Sequence, residues 1–369
     1  MTPFLVAKVL FVFVLVVGVF APLMTWTERK QSAVMQDRIG ANRAGVAGIT
    51  VLGLLHPLSD VIKLMWKEDV VPAGANRFLH ALAPVMSAVP AIAAFAVIPY
   101  GGVYELGGQR IELVAANLDW GVLWIFALGS IGAYGPVLAG WSSNSNWAVL
   151  GGVRAAAQMI SYEVTLGLSA VGVFMVFGSL SLVDIGVAQD GLAWRLWGPI
   201  GIPNWGIFVQ PLGFVLFLTC MLAENKRPPF DLPEAESELV AGYFTEYSGM
   251  RFGLFYMAEF IQVVVIAGLV TALFLGGWAI PFLTTDAIVG AIAGPLGPGL
   301  ATILCAVLHV ATFVAKMVAM IWLQMLIRWS LPRFRYDQVM DLCWKVVLPL
   351  SLLNVLVTAA VLVHLGKAG

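Results

Sequence analysis

Runs of about twenty mainly apolar residues recur along the chain and are separated by polar segments. A run of that length crosses a hydrocarbon core roughly 30 Å thick, where only helices and closed barrels satisfy every backbone hydrogen bond. The runs are unbroken and lack the period-two alternation of barrel strands, so they predict helices. Eight spans result, near residues 3–24, 80–99, 120–140, 157–178, 206–224, 252–277, 299–325 and 344–364. The first is too long for a signal peptide and runs straight into Glu28-Arg29-Lys30, which predicts an uncleaved span. The chain therefore reads as an all-α, polytopic integral membrane protein with about eight transmembrane helices, residues 1–369 forming a single membrane domain.

The polar segments fix an orientation. An even number of spans leaves both termini on one side. The loops after spans 1, 3, 5 and 7 hold Arg29, Lys30, Arg38, Arg43, Lys63, Lys67, Arg77, Arg154, Lys226, Arg227, Arg251, Arg328, Arg333, Arg335 and Lys345, fifteen of the chain's 20 basic residues. Cytoplasmic loops are enriched in Lys and Arg, so both termini are expected on the periplasmic side. Two cytoplasmic segments are large, at about 25–79 and 224–251. In the first, Leu52, Leu55, Val61, Ile62, Leu64 and Met65 form a loosely amphipathic pattern that predicts short interfacial helices.

Composition agrees: 60% of residues are hydrophobic, 11% are charged and the mean hydropathy is +0.91. A net charge of −1 speaks against binding nucleic acid through a basic face. Cys220, Cys305 and Cys343 are isolated, and His56, His80, His309 and His364 lie in separate segments, so neither set suggests an iron–sulfur, zinc or haem site. There is no Walker loop, HExxH or dinucleotide fingerprint. No cofactor is expected on this chain.

The chemistry lies in ionisable groups placed where lipid disfavours them. Glu163 falls near the start of span 4, Glu259 about two turns into span 6, Lys316 within span 7 and Glu224 at the end of span 5. A charge at such depth costs at least about 2.5 kcal/mol, so it faces a protein interior or a water-filled cavity, as a functional group or as an interhelical tether. Between Glu224 and Glu246 stand six acids (Glu224, Asp231, Glu234, Glu236, Glu238 and Glu246) against two bases. Close carboxylates raise one another's pKa and titrate together, as a proton relay requires, although such a face can also dock a basic partner. A third cluster combines Trp26 with Arg29, Lys30, Arg38, Arg43, Asp60, Lys63 and Lys67. It suits either anionic lipid headgroups or the mouth of a pocket for a lipid-like molecule.

Several blocks together resemble one family: Glu28-Arg29-Lys30, Arg38 to Arg43, Lys67-Glu68-Asp69, Gly140 to Asn144, Ser161-Tyr162-Glu163, Pro229 to Glu236, Glu246-Tyr247-Ser248 and Pro332 to Gln338. The family is the H subunit of bacterial NADH:quinone oxidoreductase, respiratory complex I, equivalent to mitochondrial NADH dehydrogenase subunit 1. The resemblance implies an eight-helix subunit of the bacterial inner membrane at the junction with the soluble arm. It implies that quinone, ubiquinone rather than menaquinone, is the substrate, while NADH, FMN and iron–sulfur clusters belong to partner subunits. The partners implied are the soluble quinone-site subunits, the neighbouring small and antiporter-like membrane subunits, and membrane lipids. Carried over, Arg29, Arg38, Asp60, Lys67 and Phe260 belong to the quinone chamber. Asp231, Glu234, Glu236, Glu238 and Glu246 belong to its acidic loop, and Glu163, Glu224 and Glu259 to the proton path, to which the intramembrane position of Lys316 adds it as a further relay candidate. Two positions depart from the pattern: Ser130 stands where some members carry glutamate, and Phe260 where relatives often have tyrosine. A related subunit of ferredoxin- or hydrogenase-linked complexes and an independent secondary transporter are the alternatives.

Overall fold

The computed structural model describes residues 3–45, 48–106, 109–197, 200–234 and 240–365. In chain order its main helices are α1 (Val6–Met35), α2 (His56–Trp66), α3 (Arg77–Val97), α4 (Gly121–Ser142), α5 (Asn146–Phe177), α6 (Leu182–Gln189), α7 (Pro211–Glu224), α8 (Gly249–Phe274), α9 (Thr285–Leu296), α10 (Gly299–Ser330) and α11 (Tyr336–His364). Among the described residues, α1, α3, α4, α5, α8, α10 and α11 are long and apolar enough to cross a membrane. The span expected at 206–224 is broken: a single turn, Gly206–Val209, precedes α7, and at the junction Gln210 has φ −131° and ψ 60°. Pro211 accounts for the break, because proline drives the residue before it out of helical geometry. The amphipathic segment folds as α2, with Leu58, Val61, Ile62 and Met65 exposed on the isolated chain.

Two short antiparallel hairpins were not expected from the apolar periodicity. Strand β1 (Val103–Leu106) pairs with β2 (Gln109–Glu112), and β3 (Leu192–Trp197) with β4 (Ile200–Pro203). Each lies in a connection between spans, and four to six residues are too few to show alternation against so apolar a background.

The connections gather at two ends. At one end the Ser248 hydroxyl accepts from the Val70 amide (2.9 Å) and donates to the Glu68 carbonyl (3.0 Å), and the Asn76 amide meets the Ser142 carbonyl (3.0 Å). At the same end the Phe334 amide meets the Pro229 carbonyl (3.0 Å). The loops that carry most of the basic residues therefore meet one another. At the other end the Lys8 ammonium donates to the Glu112 carbonyl, and Gln189 ties α6 to the end of α8 through the carbonyls of Ala272 (2.9 Å) and Leu273 (3.1 Å). Helix α8 is the centre of the bundle: 89% of its most apolar stretch is buried, against 44% or less for every other long span. A charged residue on α8 is thus held among protein groups rather than lipid.

Candidate functional site

Glycines set the close spacing of α4 and α5. A Cβ on Gly140 of α4 would lie 2.5 Å from the Ala148 carbonyl oxygen, and one on Gly152 of α5 would lie 2.9 Å from that of Pro136. Only glycine allows this approach, as is common where membrane helices pack closely. Where α4 and α5 meet, the Ser130 hydroxyl donates to Glu163 Oε1. Glu163 lies in the middle of α5, deeper than its expected place near a span start, because α5 begins at Asn146. Next to it, the buried Tyr162 hydroxyl donates to the Val339 carbonyl at 2.8 Å and fixes α11 against α5.

Glu163, Glu224 and Glu259 line one cavity together with Lys226 and Tyr243. About 60 Å³ is open to water centres there, room for several waters. Glu224 and Glu259 are 7% and 5% exposed. The Tyr243 hydroxyl donates to Glu259 Oε1 at 3.1 Å, and Glu234 shares a hydrogen bond with the same carboxyl. Asp231 follows, buried and paired with Arg333. The order Asp231, Glu234, Glu259, Tyr243 and then Glu224 and Glu163 leads from the loop into the spans. Burial, then the charge of Glu259, holds the Glu234 carboxyl well above the ordinary carboxylate range. Burial also pushes Asp231 up to about 6, against the opposing pull of the Arg333 guanidinium.

A second buried group stands beside this line. Glu28 on α1 takes Arg227 at 3.2 Å on one oxygen and Arg328 on the other. The Arg227 guanidinium also lies 4.3 Å from the centre of the Phe260 ring. Phe260 is 2% exposed and packs edge-on against Tyr256, with ring centres 5.1 Å apart. In the sequence Glu28 is visible only as part of a basic motif, because its partners lie 199 and 300 residues away (227 − 28 and 328 − 28).

The other predicted residues are placed differently. Arg29 and Asp60 form an ion pair at 2.6 Å, both partly exposed. Arg38 is exposed and bonds to Gln36 at 2.7 Å, and Lys67 is exposed just beyond α2. The Glu246 carbonyl accepts from His80 Nε2 at 3.3 Å. His80 Nδ1 accepts from Arg251 at 3.0 Å, so the ring is the Nε2–H tautomer. Glu236 and Glu238 lie outside the described residues. Lys316 is not with the acids. Its ammonium donates to the carbonyls of Leu275 (2.6 Å), Gly277 (3.2 Å) and Ala279 (2.6 Å), just past the far end of α8. Sixteen residues separate Leu275 from Glu259, about 24 Å at 1.5 Å per residue. A cation at a helix C-terminus satisfies the final carbonyls and the dipole there. Deduced from hydropathy alone, an intramembrane lysine looks like a relay group. The missing signal was Gly276-Gly277, which ends α8 and turns its carbonyls toward Lys316.

Comparison with known proteins gives a consistent result. The signature of the NADH dehydrogenase family matches residues 7–359. Geobacter metallireducens has an H subunit of NADH-quinone oxidoreductase, numbered 1, that is 46% identical over 356 residues, covering 96% of this chain and 95% of the relative. The H subunit numbered 2 in Geobacter sulfurreducens is 47% identical over 356 residues, with coverage of 96% and 95%. That of Thermomicrobium roseum is 47% identical over 338 residues, covering 92% of this chain and 90% of the relative.

Proposed function

The chain belongs to the H-subunit family of NADH-quinone oxidoreductase, and from that premise we propose that it forms the quinone-access chamber of complex I and couples quinone reduction to proton translocation. It acts as a multi-pass subunit of an oxidoreductase in the bacterial inner membrane. Electrons reach the quinone from NADH through FMN and iron–sulfur clusters in soluble partner subunits. Ubiquinone is the preferred substrate. The small and antiporter-like membrane subunits adjoin it, both termini face the periplasm, and the whole chain works as one membrane domain.

One observation carries this reading: Asp231, Glu234, Glu259 and Tyr243 follow one another from the loop to a cavity inside the spans that Glu224 and Glu163 also line. Reduction of a quinone to a quinol takes two electrons and two protons, so a group beside it must give up protons and be refilled. Asp231 and Glu234 hold protons more firmly than ordinary carboxylates and are suited to that exchange. Glu259, Glu224 and Glu163 continue the line to the cavity, where the Ser130 hydroxyl replaces the carboxylate of some relatives. Glu236, Glu238 and Glu246 extend the acidic loop. Arg29, Arg38, Asp60 and Lys67 form the polar mouth on the cytoplasmic end, and Phe260, lacking a hydroxyl, gives an apolar wall beneath Arg227. Lys316 serves the far end of α8, as a terminal charge rather than a link in the acidic line.

In the assembled complex, a photoreactive ubiquinone analogue should label residues of the 25–79 and 224–251 segments, and excess ubiquinone should suppress the labelling. Labelling confined to other subunits would count against the chamber. A cysteine at Arg335 should react with impermeant thiol reagents only from the cytoplasm, and one at Arg110 only from outside. Reaction of both from one side would contradict the eight-span topology.

A further inference from the structure

Lys226 is one of only two bases in the acidic stretch, and its backbone is unusual. It follows the last residue of α7, Glu224, and the cap residue Asn225, and its φ is +54°. Its amide donates to the Ala223 carbonyl at 3.1 Å and closes the helix. Glycine is the residue that normally takes this left-handed closing position. A lysine stands there instead, and it is turned inward: only 5% of it is exposed.

Its surroundings explain what the inward turn achieves. The ammonium donates to the Tyr243 hydroxyl at 3.4 Å and lies 5.4 Å from the centre of that ring. Tyr243 is wholly buried, and its hydroxyl donates onward to Glu259 at 3.1 Å. Glu224, from the helix that Lys226 closes, and Glu163, from α5, line the same cavity. Among the described residues, Lys226 makes no direct ion pair, and its charge reaches the Glu224 carboxylate only through space. A buried cation without a bound carboxylate is costly, so a purely structural reason for it is weak.

We propose that Lys226 and Tyr243 form the bridge by which a proton passes between Glu259 and the Glu224–Glu163 side of the cavity. The inference rests on the relay reading given above. In the transfer, Tyr243 gives its hydroxyl proton to the Glu259 carboxylate and takes one from the Lys226 ammonium. Glu259 becomes a carboxylic acid, Lys226 a neutral amine, and Tyr243 ends unchanged. The amine then takes a proton from Glu224 across the cavity, leaving Glu224 as the carboxylate. The same steps run in reverse.

The test uses the whole complex in liposomes with three variants. Lys226→Gly suits the backbone and removes the amine, Tyr243→Phe removes only the hydroxyl, and Glu259→Gln checks the relay itself. Both bridge variants should lower NADH-driven proton uptake at least tenfold, and the double variant should be no worse than either. NADH oxidation with ferricyanide, which uses only the soluble arm, should be unchanged. The pH dependence of quinone reduction should also move in Lys226→Gly, because a charge beside Glu224, Glu163 and Glu259 has gone, whereas a packing defect scales the profile without moving it. Uptake within twofold of wild type in either single variant, or a profile that superimposes on the wild type, overturns the bridge while leaving the relay in place. Normal pumping by Glu259→Gln removes the relay and the bridge together.

Discussion

At the scale of single residues, burial decides which charges matter. Glu28 and Arg227 are each 9% exposed at their side chains and Arg328 is 20% exposed, so replacing Glu28 removes the shared partner of one deeply buried and one partly buried guanidinium. Breaking a buried pair costs about 3–5 kcal/mol, whereas an exposed pair contributes about 0–1 kcal/mol. Glu28→Ala should therefore lower the melting temperature or yield of the complex markedly. Arg29→Ala, with a partner 39% exposed, should leave both nearly unchanged. Equal effects would contradict this ranking. Asp231 gives a pH signature. Its carboxyl is raised from 3.8 to about 6, so the folded loop keeps a proton that the unfolded chain has released across that window. The group favours the folded loop below pH 3.8, and its contribution fades as the pH rises to about 6. Infrared titration should show a carboxylic acid band lost near pH 6 and absent from Asp231→Asn; a midpoint near 3.8 would contradict the burial. The sequence places these acids but not their partners, since Glu28, Arg227 and Arg328 meet only once α1, the loop and α10 have folded together.

At the scale of elements, the spans were legible because twenty apolar residues have few alternatives. The interruptions were not. Val14–Phe20 and Leu342–Val347 are π-helical turns, each followed two residues later by a proline, Pro22 and Pro349, whose ring displaces the carbonyl four residues back, inside the π turn; hydropathy passes over both. The break at Gln210 was legible in principle from Pro211, but hydropathy averages across it. Helix α5 shows how an element positions the site from behind. A Cβ on Gly151 would lie 2.7 Å from the Tyr243 amide nitrogen and 2.8 Å from the Gly242 Cα. Gly151→Ala should therefore push back the segment that carries Tyr243, at about 1–3 kcal/mol, and reduce proton uptake with it. On the same helix a Cβ at Gly167 meets nothing within 4 Å, so Gly167→Ala should behave as wild type. If both variants melt and pump alike, the close approach of α5 to this loop is wrong.

For the whole molecule, two polar regions sit at opposite ends of a bundle centred on α8. The acidic line enters from the loop-bearing end, and Lys316 caps the other end of α8. Hydropathy grouped Lys316 with the acids because both are charges inside spans; only the direction of α8 and the turn at Gly276-Gly277 separate them. The central claim is that the acids carry protons rather than brace helices. Glu259→Gln decides it, since glutamine keeps the size and much of the hydrogen bonding of glutamate but cannot ionise. In liposomes holding the assembled complex, proton uptake driven by NADH and quinone should fall at least tenfold, while NADH oxidation with ferricyanide persists. If the assembled variant pumps at the wild-type rate, Glu259 is an interhelical tether and the relay assigned to this chain is wrong.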